Sequence, residues 1–220
     1  MTILLKTGIL LVAYILGSIP FGFILVKALT GKDIRRVESG RTGGTNTMRA
    51  TGFTLGFITS LLDMLKSAGA VWIARYFIPD GYWLQVFAGF FAVIGHNFSI
   101  FLLEKDPEGK IKLGGGAGGT NSVGAIIGFW WPSVFILVPV GYLIVMVVGY
   151  ASLATLSLPL IGSFILLLRF LNTDQPWEYI FSGLLSEILI VWALLPNIKR
   201  LLNGTERLVG FRAKKKKQKE

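Results

Sequence analysis

The chain has 220 residues, 53% of them hydrophobic and only 15% charged, with 22 Lys and Arg against 12 Asp and Glu for a formal net charge of +10. A mean hydropathy of +0.64 leaves too little polar surface to coat a soluble globule of this size. The absence of cysteine excludes disulfides, thiolate metal sites and a cysteine nucleophile, and a lone histidine argues against a histidine-rich metal centre; no metal ligand and no cofactor is assigned.

Apolar runs long enough to cross roughly 30 Å of hydrocarbon, about 20 helical residues each, fall near residues 3–29, 52–78, 82–103, 122–148, 150–170 and 178–198. The first lacks a small-residue cleavage site and is expected to be retained; Gly17-Ser-Ile-Pro-Phe-Gly22 within it predicts close helix packing and a kink. The polar segment that follows, Asp33 to Arg49, gathers glycines, hydroxyls, an amide and arginines within 17 residues. Arginine presents a planar fork that fits phosphate oxygens, and hydroxyls and exposed amides complete an anion's hydrogen bonds. A loop that only retains charge needs no such density of glycine, so Ser39, Arg41, Thr45, Asn46 and Arg49 are candidate ligands for phosphate.

In the second run Asp63 and Lys66 stand three residues apart on one helical face. An ionised side chain is costly in hydrocarbon, so a self-neutralising structural pair facing the bundle interior is expected, with Lys66 able to point toward the polar loops. His96, at the end of the third run, reads either as a general base or as a cap on neighbouring carbonyls. Next comes Leu113-Gly-Gly-Gly-Ala-Gly-Gly-Thr-Asn121, with five glycines running into an apolar helix predicted to start at about Thr120. Consecutive glycine N–H groups can converge on one point, and a helix start adds partial positive charge there. Gly115, Gly116, Gly118 and Thr120 are therefore read as a phosphate cradle.

Trp130-Trp-Pro132, and again Pro139, interrupt the fourth run. At 1.5 Å per residue its 27 residues reach only about 40 Å, which predicts two short helices that stop inside the bundle. Glu187 in the last run has no evident partner. Beyond it, Asn197 is placed to orient a substrate hydroxyl, and Glu206 is expected to cap or pair within its own segment. The tail, Arg212-Ala-Lys-Lys-Lys-Lys-Gln-Lys219, is expected to lie against anionic lipid headgroups; it lacks the stacking aromatics of a nucleic-acid site.

Of the Lys and Arg residues, five lie in 31–50, three in 104–121 and nine from Lys199 onward, while Pro79–Tyr82 and Leu171–Glu178 contain none. The positive-inside bias puts the first three groups in the cytoplasm. The expected fold is thus an all-α polytopic membrane helical bundle of about seven transmembrane or partly inserted helices, N-terminus outside and C-terminus cytoplasmic, with residues 1–211 as one domain and 212–220 as a basic tail.

Gly17 to Gly22, Asp33-Ile-Arg35 with Ser39-Gly40 and Thr45-Asn46 through Arg49, Leu62-Asp63 with Lys66, Gly95-His96 with Phe98, the glycine loop, Ser152-Leu153, Asn197-Ile198 with Arg200-Leu201, and Gly204-Thr205-Glu206 occur in that order. This ordered set resembles the bacterial acyl-phosphate-dependent glycerol-3-phosphate acyltransferase family. The resemblance implies transfer of a fatty acyl group from acyl phosphate to the 1-hydroxyl of glycerol 3-phosphate, giving 1-acylglycerol 3-phosphate and phosphate, in a bacterial inner membrane with the site facing the cytoplasm. Acyl phosphate, glycerol 3-phosphate and membrane lipids would be its partners, and nucleic acid would not. With the residue reading, it assigns catalysis to Ser39, Arg49 and Asn197 and adds Lys66, His96 and Ser152 to the substrate-binding set. The chain departs from the family pattern at Ala117, where the loop usually has lysine, at Gly149 (arginine), at Leu194 (histidine) and at Arg41 (asparagine). Another class of glycerolipid acyltransferases carries a His-x4-Asp pair, but here the fifth residue after His96 is Phe101. The alternatives are a relative altered toward another phosphorylated acceptor or acting as a partner, and a transporter of an anionic lipid or small phosphate.

Overall fold

The computed structural model describes residues 2–105 and 108–217. The first apolar run folds as two helices, α1 (Ile3–Ser18) and α2 (Phe21–Thr30). Pro20 at their junction has no N–H to give a continuous ladder, which produces the expected kink. A polar loop follows, with a 3-10 turn at Ile34–Arg36 and a short helix α3 (Gly44–Thr51). Then come two long helices, α4 (Phe53–Phe77) and α5 (Tyr82–Asn97).

Between α5 and the glycine loop the chain forms an antiparallel hairpin, β1 (Leu103–Lys105) with β2 (Ile111–Leu113), in which Leu103 faces Leu113 and Glu104 faces Lys112. Three residues per strand are too few to show an alternating pattern in the sequence, so the hairpin is a feature that the all-α expectation lacks. The remaining elements are α6 (Gly119–Phe129), α7 (Val134–Leu143), α8 (Ala151–Asn172), α9 (Phe181–Leu202) and α10 (Gly210–Lys217). The expected tail boundary at residue 212 falls inside α10, and residues 218–220 of the tail lie outside the described residues.

Six segments among the described residues are long and apolar enough to cross a membrane: Ile3–Thr30, Phe53–Phe77, Tyr82–Leu102, Trp131–Val148, Ala151–Asn172 and Trp177–Leu202. Large apolar side chains stand exposed around the bundle, among them Phe135, Tyr142, Phe164, Ile188 and Trp192, a surface suited to hydrocarbon. The fourth run divides at Trp130, as its sequence suggests, but its halves are unequal. Helix α6 has 11 residues and rises about 16 Å, whereas Trp131–Val148 has 18 and rises about 27 Å. The second expected break does not occur. Helix α7 runs through Pro139, and its ladder widens into π turns at Ile144–Val148 before Gly149, at φ +83, ends it. Local adjustment of this kind lets a membrane helix accept proline.

Helix α6 sets the site's position. It is enclosed on nearly every side: Asn121 through Ile126 are all buried, as are Gly128 and Phe129. Val123, Ala125, Ile126 and Phe129 pack with Val71, Val86, Leu137, Ile165, Leu166 and Tyr179 in one core. At Gly124 a Cβ would stand 2.1 Å from the Met64 carbonyl oxygen, so only glycine lets α6 lie this close to α4. At the end of α6 away from the glycine loop, Arg75 donates to the Phe129 carbonyl at 3.3 Å and to Gln85 Oε1 at 3.3 Å, and Tyr179 donates to the same Gln85 oxygen at 2.6 Å. These bonds hold α6 at a fixed depth, which fixes where its N-terminus opens.

Candidate active site

The two polar loops meet at one end of the bundle. The Thr42 N–H donates to the Gly115 carbonyl at 3.2 Å, joining the first loop to the glycine loop. A cleft beside this junction is lined by residues of both loops and of the α8 and α9 ends, including Ser39, Arg41, Thr45, Asn46, Arg49, His96, Gly118, Thr120, Ser152 and Asn197. Ten of the candidate residues thus share one cavity. Lys66, Gly115 and Gly116 do not line it and act from behind.

The first residues of three helices border the cleft: Gly44 and Thr45 of α3, Gly119 and Thr120 of α6, and Ala151 and Ser152 of α8. The opening N–H groups of a helix have no partner within it and carry the positive end of its dipole. Three such ends pointing at one small volume favour an anion. Gly118 makes the α6 end possible, since its φ of +92 turns the chain into the helix in a conformation that costs other residues energy. The side chain of Arg49 adds a full charge, and among the described residues it makes no hydrogen bond or ion pair. Burial, and secondarily the charge of Arg207, pull its guanidinium below the ordinary value. Burial and then Arg200 do the same to Arg41. A guanidinium keeps its proton in a protein, and an anion in the cleft would offset the lost solvation of both.

The glycines work differently from the cradle expected of them. The N–H of Gly114 donates to Leu102 O at 3.0 Å and that of Gly116 to His96 O at 2.9 Å, so neither is free for a ligand. Their lack of a side chain is what matters. A Cβ on Gly115 would meet the His96 and Asn97 carbonyl oxygens at 2.3 and 2.4 Å, and one on Gly116 would overlap the His96 ring at 1.9 Å. The run seats the loop against the end of α5, and the free amides come from the Gly119 start of α6.

Behind His96 lies the ion pair read from sequence, with Lys66 Nζ 2.7 Å from Asp63 Oδ1 and both side chains buried. Lys66 also donates to the Ile19 carbonyl at 2.8 Å, tying α4 to the α1–α2 kink, and lies 3.1 Å from His96 Nδ1. An ammonium has no lone pair, so in that contact Nδ1 accepts and the ring proton sits on Nε2. His96 therefore presents a donor to the cleft, which fits substrate binding better than a base at that nitrogen. Lys66→Met would leave the Asp63 carboxylate buried without its cation. We expect it to cost about 3 kcal/mol of stability, read as a lowered thermal midpoint in detergent, with Asp63→Asn/Lys66→Met recovering part of the loss.

Asn46 is buried and its amide is spent on the first loop: Nδ2 donates to Arg41 O at 2.8 Å and Val37 O at 3.0 Å, and Oδ1 accepts from Ser39 N at 3.3 Å. It shapes the loop that carries Ser39 and Arg41. Arg41 reaches across to α9, donating to Asn197 Oδ1 at 3.2 Å and to the Ala193 carbonyl. A cation from the first loop thereby stands beside Leu194.

Glu206 is the site residue that sequence reasoning missed. It pairs within its segment as expected, accepting from Arg200 Nε at 3.0 Å, but it also accepts from Asn197 Nδ2 at 2.9 Å and Ser152 Oγ at 3.3 Å and lines the cleft. Its carboxylate orders the ends of α8 and α9 together. The available signals were its place in the Gly204-Thr205-Glu206 stretch of the family-like set and a carboxylate nine residues after Asn197. Glu187 remains without an assigned part, its Oε2 buried and without a hydrogen bond among the described residues.

The family model described as glycerol-3-phosphate acyltransferase matches residues 7–204. The glycerol-3-phosphate acyltransferase of Thermotoga petrophila is 38% identical over 204 residues, which cover 91% of this chain and 95% of that one. That of Thermus thermophilus is 34% identical, covering 93% and 95%. Among solved structures, the glycerol 3-phosphate form of PlsY (YgiH), an integral membrane glycerol 3-phosphate acyltransferase, superposes with a TM-score of 0.78 at 29% identity, covering 93% of this chain and 96% of that one. The lysophosphatidic acid form gives 0.76 at 27% identity.

Proposed function

The chain belongs to the glycerol-3-phosphate acyltransferase family, and from that premise we propose that its cleft moves a fatty acyl group from acyl phosphate to the 1-hydroxyl of glycerol 3-phosphate. The observation that carries the reading is the convergence on one cavity of three helix N-termini and of Arg49, which has no partner among the described residues. Both substrates bring a phosphate, and the solved relatives are glycerol 3-phosphate and lysophosphatidic acid forms.

In the proposed step the acceptor hydroxyl oxygen attacks the carbonyl carbon of the mixed anhydride, the bond to the phosphate oxygen breaks, and phosphate leaves. Acyl phosphate is already activated, so positioning and stabilisation of the developing negative charge suffice. Arg49 and the amides at the α3 and α6 starts would hold phosphate, Ser39 and Asn197 would orient the acceptor, and a substrate phosphate oxygen would take the hydroxyl proton. Arg41, Thr45, Asn46, His96, Gly115, Gly116, Gly118, Thr120 and Ser152 would bind substrate or shape its pocket, with Lys66 supporting His96.

The chain is an integral membrane protein. The concentration of Lys and Arg at the cleft end supports a cytoplasmic site in a bacterial inner membrane, with the donor's alkyl chain among lipids. Purified protein should release phosphate from palmitoyl phosphate only when glycerol 3-phosphate is present. Release that ignores the acceptor, or none at all, would favour an altered relative or a transporter.

A further inference from the structure

The segment after the last membrane helix does not hang free. From Thr205 it crosses the mouth of the site as a strap: Glu206 is turned into the cleft, Arg207 pairs with Glu38 of the first loop, and the Val209 N–H donates to Gly149 O at 2.9 Å. Arg212 then donates to the Val148 carbonyl at 2.9 Å and lies over the Tyr150 ring at 5.4 Å. Gly210, at φ +63, sits flush on the π turns, where a Cβ would stand 2.6 Å from Met146 Cα. These contacts pin α10 to the end of the Trp131–Val148 span, which places it at the depth of the headgroups. They also pin it to the start of α8, whose Ser152 holds Glu206.

The family match ends at residue 204, so the α10 end of this device lies beyond it. Helix α10 reads Gly210-Phe-Arg-Ala-Lys-Lys-Lys-Lys217, with Phe211 exposed. An exposed aromatic beside a run of cations, held at the membrane surface, is the chemistry of an interfacial anchor for anionic lipid.

We propose that α10 docks on anionic phospholipid headgroups and that this hold keeps the Glu206 strap closed across the cleft, so that acyl transfer depends on the anionic lipid around the protein. Its second half rests on the acyltransferase reading above. The full chain would be reconstituted into vesicles of phosphatidylcholine alone or with about 30% phosphatidylglycerol. Ala213→Cys provides a unique thiol, since the chain has no cysteine, for an environment-sensitive dye. With phosphatidylglycerol, the dye should move to a less polar environment, molar salt should reverse the shift, and acceptor-dependent phosphate release should rise at least about threefold. Lys→Gln at residues 214–217 should abolish both responses while keeping the rate seen in phosphatidylcholine.

An equal dye signal in the two vesicles, or a shift produced by an RNA oligonucleotide and not by phosphatidylglycerol, overturns the docking. A shift with an unchanged rate, or a quadruple variant that responds like the parent, overturns the coupling. A dye shift with no acceptor-dependent transfer in any vesicle overturns the acyltransferase reading, and the coupling with it, while the docking stands.

Discussion

Arg49→Ala is expected to lower kcat/KM for acyl transfer by about 10²–10³-fold, equivalent to about 3–4 kcal/mol of transition-state stabilisation. Arg49 is the guanidinium in the cleft that has no hydrogen-bond or ion-pair partner among the described residues, so its donors are open to a phosphate. Arg41 cannot replace it, because its nitrogens already bind Asn197 and the Ala193 carbonyl. Arg49→Lys should recover only part of the loss, since an ammonium supplies charge without the planar fork that holds two oxygens at once. Steady-state kinetics against both substrates check this. A fall in kcat at saturating acceptor places the interaction in the transition state, and a rise in KM alone places it in ground-state binding. Full activity in Arg49→Ala would remove this residue from the mechanism.

Gly115→Ala should cost at least about 100-fold in activity and about 3 kcal/mol in stability. The added methyl meets two backbone carbonyls, His96 O at 2.3 Å and Asn97 O at 2.4 Å, and backbone cannot swing aside as a side chain can. The loop must lift from α5, which breaks the Thr42 to Gly115 bond and moves the α6 start away from Arg49. Gly69→Ala is the control: it lies within α4 with nothing within 4 Å of the added carbon, and it should leave activity and thermal midpoint unchanged. Equal behaviour of the two variants would mean that the loop does not need its close seat on α5.

The spans were legible because hydrocarbon demands length and apolarity, and both are written along the chain. The two loops were legible because arginine and glycine crowd into segments whose charge pattern puts them on one side. What each glycine does was not. A glycine in sequence shows that a side chain is unwelcome, but not whether the vacancy serves a ligand or a carbonyl, and at Gly115 and Gly116 it serves the end of α5. Glu206 was hidden for a related reason. Its burial comes from Ser152 and Asn197, supplied by two different helices, and no local pattern encodes that meeting. Arg41 was legible as a cation, but its reach to α9 depends on how the first loop folds around Asn46. Pro139 misled because a break rule drawn from water-exposed helices overstates the cost in a membrane, where neighbouring turns absorb the missing bond.

The central claim is that one electropositive cavity, shared by loops distant in sequence, binds the acceptor's phosphate. The most direct test is equilibrium binding of radiolabelled glycerol 3-phosphate to the purified protein by scintillation proximity, comparing the parent with Arg49→Ala and Arg36→Ala. Arg36 is exposed and does not line the cleft. The expected result is a single saturable site, weakened at least about 30-fold in Arg49→Ala, as loss of a charge-assisted bidentate bond implies, and unchanged in Arg36→Ala. Equal affinity in all three proteins, or equal weakening in both variants, would contradict a built site and leave only diffuse attraction between an anion and a basic surface.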